Sequence, residues 1–79
     1  MKTTHRPIHE IAAEIEKDWK NPYFGAVPYL AAMNFLNDMD DMYIMNTASS
    51  IIIYFLSNAQ TWRGETARRV KAELREMIK

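Results

Sequence analysis

The chain has 79 residues, of which 48% are hydrophobic and 25% charged, and these proportions are typical of a single folded domain. Ten Lys and Arg residues balance ten Asp and Glu residues, which excludes a strongly basic nucleic-acid binder but leaves room for a local charged patch. Cysteine is absent, so disulfides, thiol catalysis and Cys-ligated metal sites are excluded. We therefore expect one domain over residues 1–79, with residues 1–6 flexible.

The sequence also predicts localisation and self-association. Its first residues lack the apolar stretch of a signal peptide, and its most apolar run, Ile51–Leu56, is far shorter than the roughly 20 residues needed to span a bilayer. The prediction is a cytoplasmic protein with no membrane partner. A single core in so short a chain supplies only about 3–5 kcal/mol, so we also expect a homodimer.

A first helix is predicted from Pro7 to Asn21. Proline suits the first helical position because its missing N–H needs no partner there, and Pro22 disfavours helical geometry in the residue before it. The apolar residues in between recur at helical spacing and form one stripe, which consists of Ile8, Ile11, Ala12, Ile15 and Trp19.

A second helix is predicted from Pro28 to about Asn37, with apolar residues on nearly all of its sides. Such a helix is buried on several sides or meets a partner on one of them. The polar, acidic segment that follows predicts a short helical turn from Asp38 to Met45, with the Asp38 carboxylate as its cap.

A third helix is predicted after a cap at Asn46 or Thr47, because six apolar residues keep helical spacing. The alternative is a strand, since Ile51–Phe55 has high β propensity, but the register favours the helix. The six residues of the stripe are Ala48, Ile51, Ile52, Phe55, Leu56 and Ala59.

A fourth helix is predicted from Trp62 to Ile78, with Thr61 as its cap and Gly64 as a weak point in its first turn. Four helices in so short a chain predict an all-α fold, a small bundle of about four helices with short loops. The expected core has Ile52, Phe55 and Leu56 at its centre, surrounded by Ile11, Ile15, Leu30, Val70 and Leu74.

No pattern of catalytic or ligand-binding residues is complete. His5 and His9 have the spacing of a helical metal pair, but a zinc-protease motif needs Glu directly after the first His. Counted from Asp38, the acidic segment lacks the Gly and the Glu that a calcium loop requires. A phosphate-binding loop and a nucleophile elbow are also missing. We therefore predict no enzyme activity, no cofactor and no metal.

The last helix carries basic residues on one face. Such a stripe is typical of an ordinary solvated helix, and the alternative interpretation is contact with phosphate or with an acidic partner. Residues 62–79 hold six basic and three acidic residues, a net charge of +3, whereas residues 37–60 hold three acidic residues and no basic one, a net charge of −3. The candidate contact residues are Arg63, Arg68, Lys71, Arg75 and Lys79.

Four of the six methionines lie within residues 33–45. Methionine fills gaps in cores and also adapts to partners at contact surfaces, and the sequence leaves both roles open. Phe24 belongs to an aromatic turn after the first helix, which closes one end of the bundle or anchors an interface. The candidate protein interface consists of Met39, Met42, Tyr43 and Phe24.

Two segments, Asp18–Leu30 and Tyr54–Ala59 leading into Thr61–Glu65, together resemble short uncharacterised proteins encoded by bacteriophages and prophages. The resemblance implies a mobile-element origin and a bacterial cytoplasm, and it assigns no catalytic residue. We therefore expect a non-enzymatic protein–protein interaction module, a phage or prophage accessory protein that binds a host or phage protein. The alternative is a small helical nucleic-acid-binding domain that uses the basic face of the C-terminal helix.

Overall fold

Four helices and one short β-hairpin form the part of the chain that this computed structural model describes, residues 5–79. In chain order, the elements are α1 (Ile8–Asp18), α2 (Val27–Met33), β1 (Met42–Tyr43), β2 (Asn46–Thr47), α3 (Ala48–Ser57) and α4 (Glu65–Met77). The fold is mostly helical, as predicted, but the hairpin distinguishes it from a purely all-α bundle. The predicted flexibility of residues 1–6 falls mainly on residues 1–4, which lie outside the described residues.

Helix α1 begins at Ile8, one residue after the predicted start at Pro7, whose backbone is extended with φ −56° and ψ 139°. The N–H of Ile8 has no partner within the helix and donates to the carbonyl oxygen of Asn37 at 3.0 Å. The segment after α2 therefore caps the N-terminus of α1 through backbone hydrogen bonding. The helix ends at Asp18, before the predicted end, because the backbone of Trp19 is extended.

Helix α2 is shorter than predicted, since it spans seven residues and ends at Met33 rather than near Asn37. Pro28 lies in its first turn, where a missing N–H costs no internal hydrogen bond. The residues after the helix continue as turns that place Leu36 in the core and Phe35 at the surface. The early end of α2 thus leaves a large aromatic side chain uncovered.

The segment predicted as a helical turn from Asp38 to Met45 is instead a loop followed by a hairpin, so that prediction was wrong. Strands β1 and β2 pair in antiparallel register and are joined by the two-residue turn Ile44–Met45. The Asp41 carboxylate accounts for the loop, because it accepts the backbone N–H groups of Asn37 and Asp38 at 2.8 and 3.0 Å. A side chain that binds upstream backbone in this way offers the chain an alternative to a helix.

Helix α3 confirms the predicted third helix and excludes the strand alternative over Ile51–Phe55. The Thr47 hydroxyl caps it by accepting the backbone N–H of Ser50 at 3.1 Å. Leu56 was predicted to be fully buried but is only partly covered, because it lies at the edge of the buried stripe. Tyr54, on the opposite side, is half exposed, so α3 is covered on one face rather than all round.

Helix α4 starts at Glu65, three residues after the predicted start at Trp62. Gly64 precedes it with φ 113° and ψ −179°, a backbone conformation that is almost exclusive to glycine, so the helix cannot extend upstream. Thr61 is therefore not its cap. Trp62 lies outside the helix yet belongs to the core.

Three aromatic rings lie at the centre of the core. The fully buried ring of Phe55 meets Trp19 and Trp62 edge-on, with ring centroids 6.3 and 6.4 Å apart. Such edge-to-face pairs stabilise a core beyond the apolar area that they bury. Apart from Leu56, the predicted core residues are buried, namely Ile11, Ile15, Leu30, Ile52, Phe55, Val70 and Leu74.

Candidate functional site

Large apolar side chains are exposed at the hairpin and at the turn after α2. Phe35 is 73% exposed, Met42 58%, Ile44 80% and Met45 84%. A two-residue hairpin turn in water usually carries Gly, Asn or Asp, so large apolar residues at this turn are unusual. We define the hairpin surface by the residues Phe35, Met42, Tyr43, Ile44 and Met45.

Partly buried residues connect the hairpin surface to the core. The ring of Phe35 stacks on that of Tyr43, with centroids 5.4 Å apart and planes inclined at 26°. Tyr43 and Met39 both pack against the core and are only partly exposed. Of the three interface residues predicted in this segment, only Met42 is therefore largely open to a partner, while Met39 and Tyr43 support the surface.

The tip of the hairpin has a strained backbone. Ile44 has φ 59°, which is rare for a residue other than glycine and unfavourable for a β-branched one. Strain of this kind costs about 1–3 kcal/mol and is concentrated at functional sites. The strained residue lies in the two-residue turn, where its side chain is 80% exposed.

Phe24, the fourth predicted interface residue, lies apart from the hairpin in the chain, in the loop between α1 and α2. Its side chain is 78% exposed, and its ring contacts Tyr23 at a centroid distance of 4.8 Å. Its exposure agrees with an accessible position, but its ring neighbour belongs to its own loop rather than to the hairpin surface.

A second surface feature is an open groove of about 400 Å³ beside α4. We call it the basic groove, and its lining consists of Gln60, Trp62, Arg63, Gly64, Ala67, Arg68, Lys71 and Arg75. Four of the five predicted basic contact residues thus meet in one place. The fifth, Lys79, does not line the groove, and its ammonium group pairs with Glu76 at 3.1 Å.

Lys71 is the most constrained cation of the basic groove. Its Nζ donates to the carbonyl oxygen of Trp62 at 2.7 Å and lies 5.9 Å from the centroid of the Trp62 ring. Partial burial lowers the pKa of Lys71, and the nearby charges of Arg75 and Arg63 lower it further. The groove therefore holds several positive charges close enough to repel one another.

Between α1 and α4, in contrast to the basic groove, positive and negative side chains pair with each other. Arg6 makes a bidentate contact with Glu73, at 3.0 and 2.7 Å, and also pairs with Glu14 at 2.9 Å. Glu14 pairs in addition with Arg69. The hydrogen bond from Arg69, together with that from Arg6, holds the pKa of the Glu14 carboxyl below its usual range. These four residues form a network that joins the N-terminal segment and α1 to α4.

The described residues offer no set of metal ligands. Over residues 5–79, no group of three His, Asp or Glu side chains is arranged so that it could hold a metal ion. His5 is engaged otherwise, since its Nε2 lies 3.4 Å from the Asp38 carboxylate. The candidate sites among the described residues are the hairpin surface and the basic groove.

Comparison with family models, with curated proteins and with solved structures gives no match for this chain. The resemblance to phage and prophage proteins therefore stays a prediction. Within residues 5–79, none of the helices has the length and apolar character needed to cross a bilayer.

Three exposed residues of the hairpin surface were not among the predicted interface residues: Phe35, Ile44 and Met45. Phe35 was assigned to a helix that in fact ends two residues earlier. Ile44 and Met45 were assigned to a helical turn, and the turn that they form lacks the glycine or asparagine that normally marks a hairpin. The β-forming residues Tyr43, Ile44 and Thr47 were a local signal for strands there.

Proposed function

We propose that this chain is a non-enzymatic protein–protein interaction module and that the hairpin surface is its contact site. The observation that carries the proposal is the exposure of Phe35, Met42, Ile44 and Met45, each of which is more than half open to solvent. Fully covering one large apolar side chain contributes about 1.5–3 kcal/mol relative to leaving it in water. Ile44 and Met45 form the turn, Met42 precedes it in β1, and Phe35 reaches the hairpin by stacking on Tyr43, so a partner that covers the hairpin meets several apolar anchors.

The exposure of the hairpin turn supports a partner with a recess. Ile44 and Met45 are 80% and 84% exposed, and a recess covers more of two such side chains than a flat face does. Pairing of β1 with β2 closes the turn before any partner binds, and a preorganised anchor loses little conformational entropy on binding. The expected partner therefore carries an apolar recess that accepts Ile44 and Met45.

The acidic residues near the hairpin indicate which charges a partner would carry around its recess. Residues 37–60 contain three aspartates and no basic residue, and Asp40 is exposed next to the hairpin. A symmetric pair of copies joined at this surface would bring like charges together, because each copy presents the same patch to the other. The favoured partner is a different protein with basic groups around an apolar recess. With the predicted phage origin, this would be a host or phage protein in a bacterial cytoplasm.

The test compares two hairpin variants with a control outside the hairpin surface. Met42→Glu and Ile44→Asn each remove one exposed anchor, whereas Phe24→Ser removes an equally exposed apolar side chain from another loop. A protein captured from a bacterial lysate by the wild-type chain is purified, and its affinity for each variant is measured by isothermal titration calorimetry. We expect both hairpin variants to bind at least about tenfold more weakly, since an interface anchor contributes more than about 1.4 kcal/mol.

Folding and self-association are measured on the same samples. Circular dichroism melting should show unchanged helix content in all three variants, and sedimentation equilibrium should show no assembly that depends on Met42. If the captured protein binds both folded hairpin variants as well as the wild type, the proposal is wrong. If Met42→Glu unfolds the chain instead, Met42 belongs to the core. If it dissolves a homodimer, the partner is a second copy.

A further inference from the structure

The basic groove differs from the rest of the α4 surface in that its charges are not neutralised. In residues 5–79, Arg63, Arg68 and Arg75 make no side-chain hydrogen bond and no ion pair, and all three are exposed. No acidic residue is found among the described residues that line the groove. By contrast, Arg69, one position from Arg68, is paired with Glu14. Of these two neighbouring arginines, Arg69 joins α4 to α1 through an ion pair, whereas Arg68 is left available to a ligand.

The arrangement of these cations matches an extended ligand. Arg68, Lys71 and Arg75 follow one another on one face of α4, and the first and last are seven residues apart, or about 10 Å along the helix axis. Double-stranded DNA carries one phosphate charge per about 1.7 Å of its axis with both strands counted, so a row of this length faces several phosphates. Guanidinium groups bind phosphate oxygens in bidentate fashion, which suits the unpaired arginines.

The groove also lacks what a base-reading site or a small-molecule site would require. Its one aromatic residue among the described lining, Trp62, is 3% exposed and cannot stack on a base. The groove is open, whereas a small-molecule pocket covers most of its ligand. A row of cations without a stacking platform is typical of contact with the nucleic-acid backbone.

We infer that the basic groove binds the phosphodiester backbone of double-stranded nucleic acid without reading its sequence. Arg63, Arg68 and Arg75 contact phosphate oxygens, and Lys71, held by the Trp62 carbonyl, supplies a fourth charge at the centre of the row. A rigid duplex presents its charges in a fixed line, while a flexible acidic peptide would have to be ordered first, at a cost in entropy. The inference is independent of the hairpin surface, because the two sites share no residue.

The experiment measures binding to a fluorescein-labelled DNA duplex of random sequence by fluorescence anisotropy, at salt concentrations between about 50 and 200 mM. Four phosphate contacts predict that log K falls with log salt with a slope of about −3 to −4. The double variant Arg68→Gln, Arg75→Gln should bind at least about tenfold more weakly, and its slope should be smaller by about 2. Both arginines are exposed, so their replacement leaves the core intact.

The matched control is the double variant Lys17→Gln, Lys20→Gln. It removes the same amount of charge from exposed positions that do not line the basic groove, so its affinity and slope should stay close to wild type. Absence of duplex binding, or an equal loss of affinity in both double variants, would overturn the inference. It would also fail if polyglutamate competes as well as the duplex, which would indicate an acidic protein. Competition by inorganic phosphate at equal phosphate concentration would overturn it too, since it would indicate a small-anion site.

Discussion

The indole ring of Trp62 lies nearly parallel to that of Trp19, with centroids 5.8 Å apart and planes inclined at 12°. The same Trp62 donates its Nε1 hydrogen to the Asp18 carboxylate at 2.8 Å, and its carbonyl oxygen accepts the Lys71 ammonium. One residue that precedes α4 therefore joins the end of α1, the aromatic core and the basic groove. The position of the Lys71 charge depends on how the core is packed.

Replacing Trp62 by Phe tests the polar part of this junction. The variant keeps an aromatic ring against Trp19 but loses the hydrogen bond to the Asp18 carboxylate. A hydrogen bond to a charged group contributes about 1.5–3 kcal/mol, and the smaller ring also leaves part of the buried Trp62 site unfilled, so we expect the free energy of unfolding to fall by more than that amount. Urea denaturation measures it. A second variant, Asp18→Ala, removes the hydrogen bond without changing the ring and should show the smaller loss, and a stability unchanged in Asp18→Ala would mean that the bond contributes nothing.

Replacing Phe55 by Ala tests the centre of the core. Phe55 is fully buried, and removing its ring leaves a cavity that costs about 3–5 kcal/mol. Because a single core in so small a chain supplies about the same amount, we expect the variant to be largely unfolded at 25 °C by circular dichroism. The control Phe24→Ala removes the same ring from an exposed loop and should melt within a few degrees of wild type.

The network around Glu14 predicts a pH-dependent stability. The pKa of Glu14 is lower in the folded chain than in the unfolded one, so its contribution is complete above the unfolded value and is lost as the pH falls through the folded value. Glu14→Gln should therefore destabilise the chain by about 1–2 kcal/mol at pH 7, and the difference from wild type should shrink towards zero once the pH falls below the folded pKa of Glu14. Urea denaturation at several pH values measures this difference. A difference that stays constant with pH would contradict the assigned role.

Replacing Ile44 by Asn tests the strain at the hairpin tip. Asparagine tolerates positive φ, whereas a left-handed conformation costs other residues about 1–2 kcal/mol. We expect Ile44→Asn to raise the free energy of unfolding by about 1 kcal/mol, measured by urea denaturation, although it removes a large apolar side chain. A matched change at an exposed position with ordinary backbone, Val27→Asn, should bring no gain. A loss of stability in Ile44→Asn would mean that the Ile44 side chain is packed rather than presented.

The periodicity of the sequence determined which residues form the core. The stripes that contain Ile11, Phe55 and Val70 recur at the helical period, and a local period suffices to predict which face of a helix is buried. The same local signals did not predict the hairpin, because its turn at Ile44 requires a positive φ that only surrounding structure can impose.

The tertiary structure alone decided which charges are free. In the sequence, Arg68 and Arg69 are adjacent and equivalent, and both lie on an exposed part of a predicted helix. Packing of α1 against α4 places Glu14 beside Arg69 and leaves Arg68 in the basic groove without an acidic neighbour among the described residues. An ion pair between residues 55 positions apart depends on how two helices are oriented, and no pattern within either helix encodes that orientation.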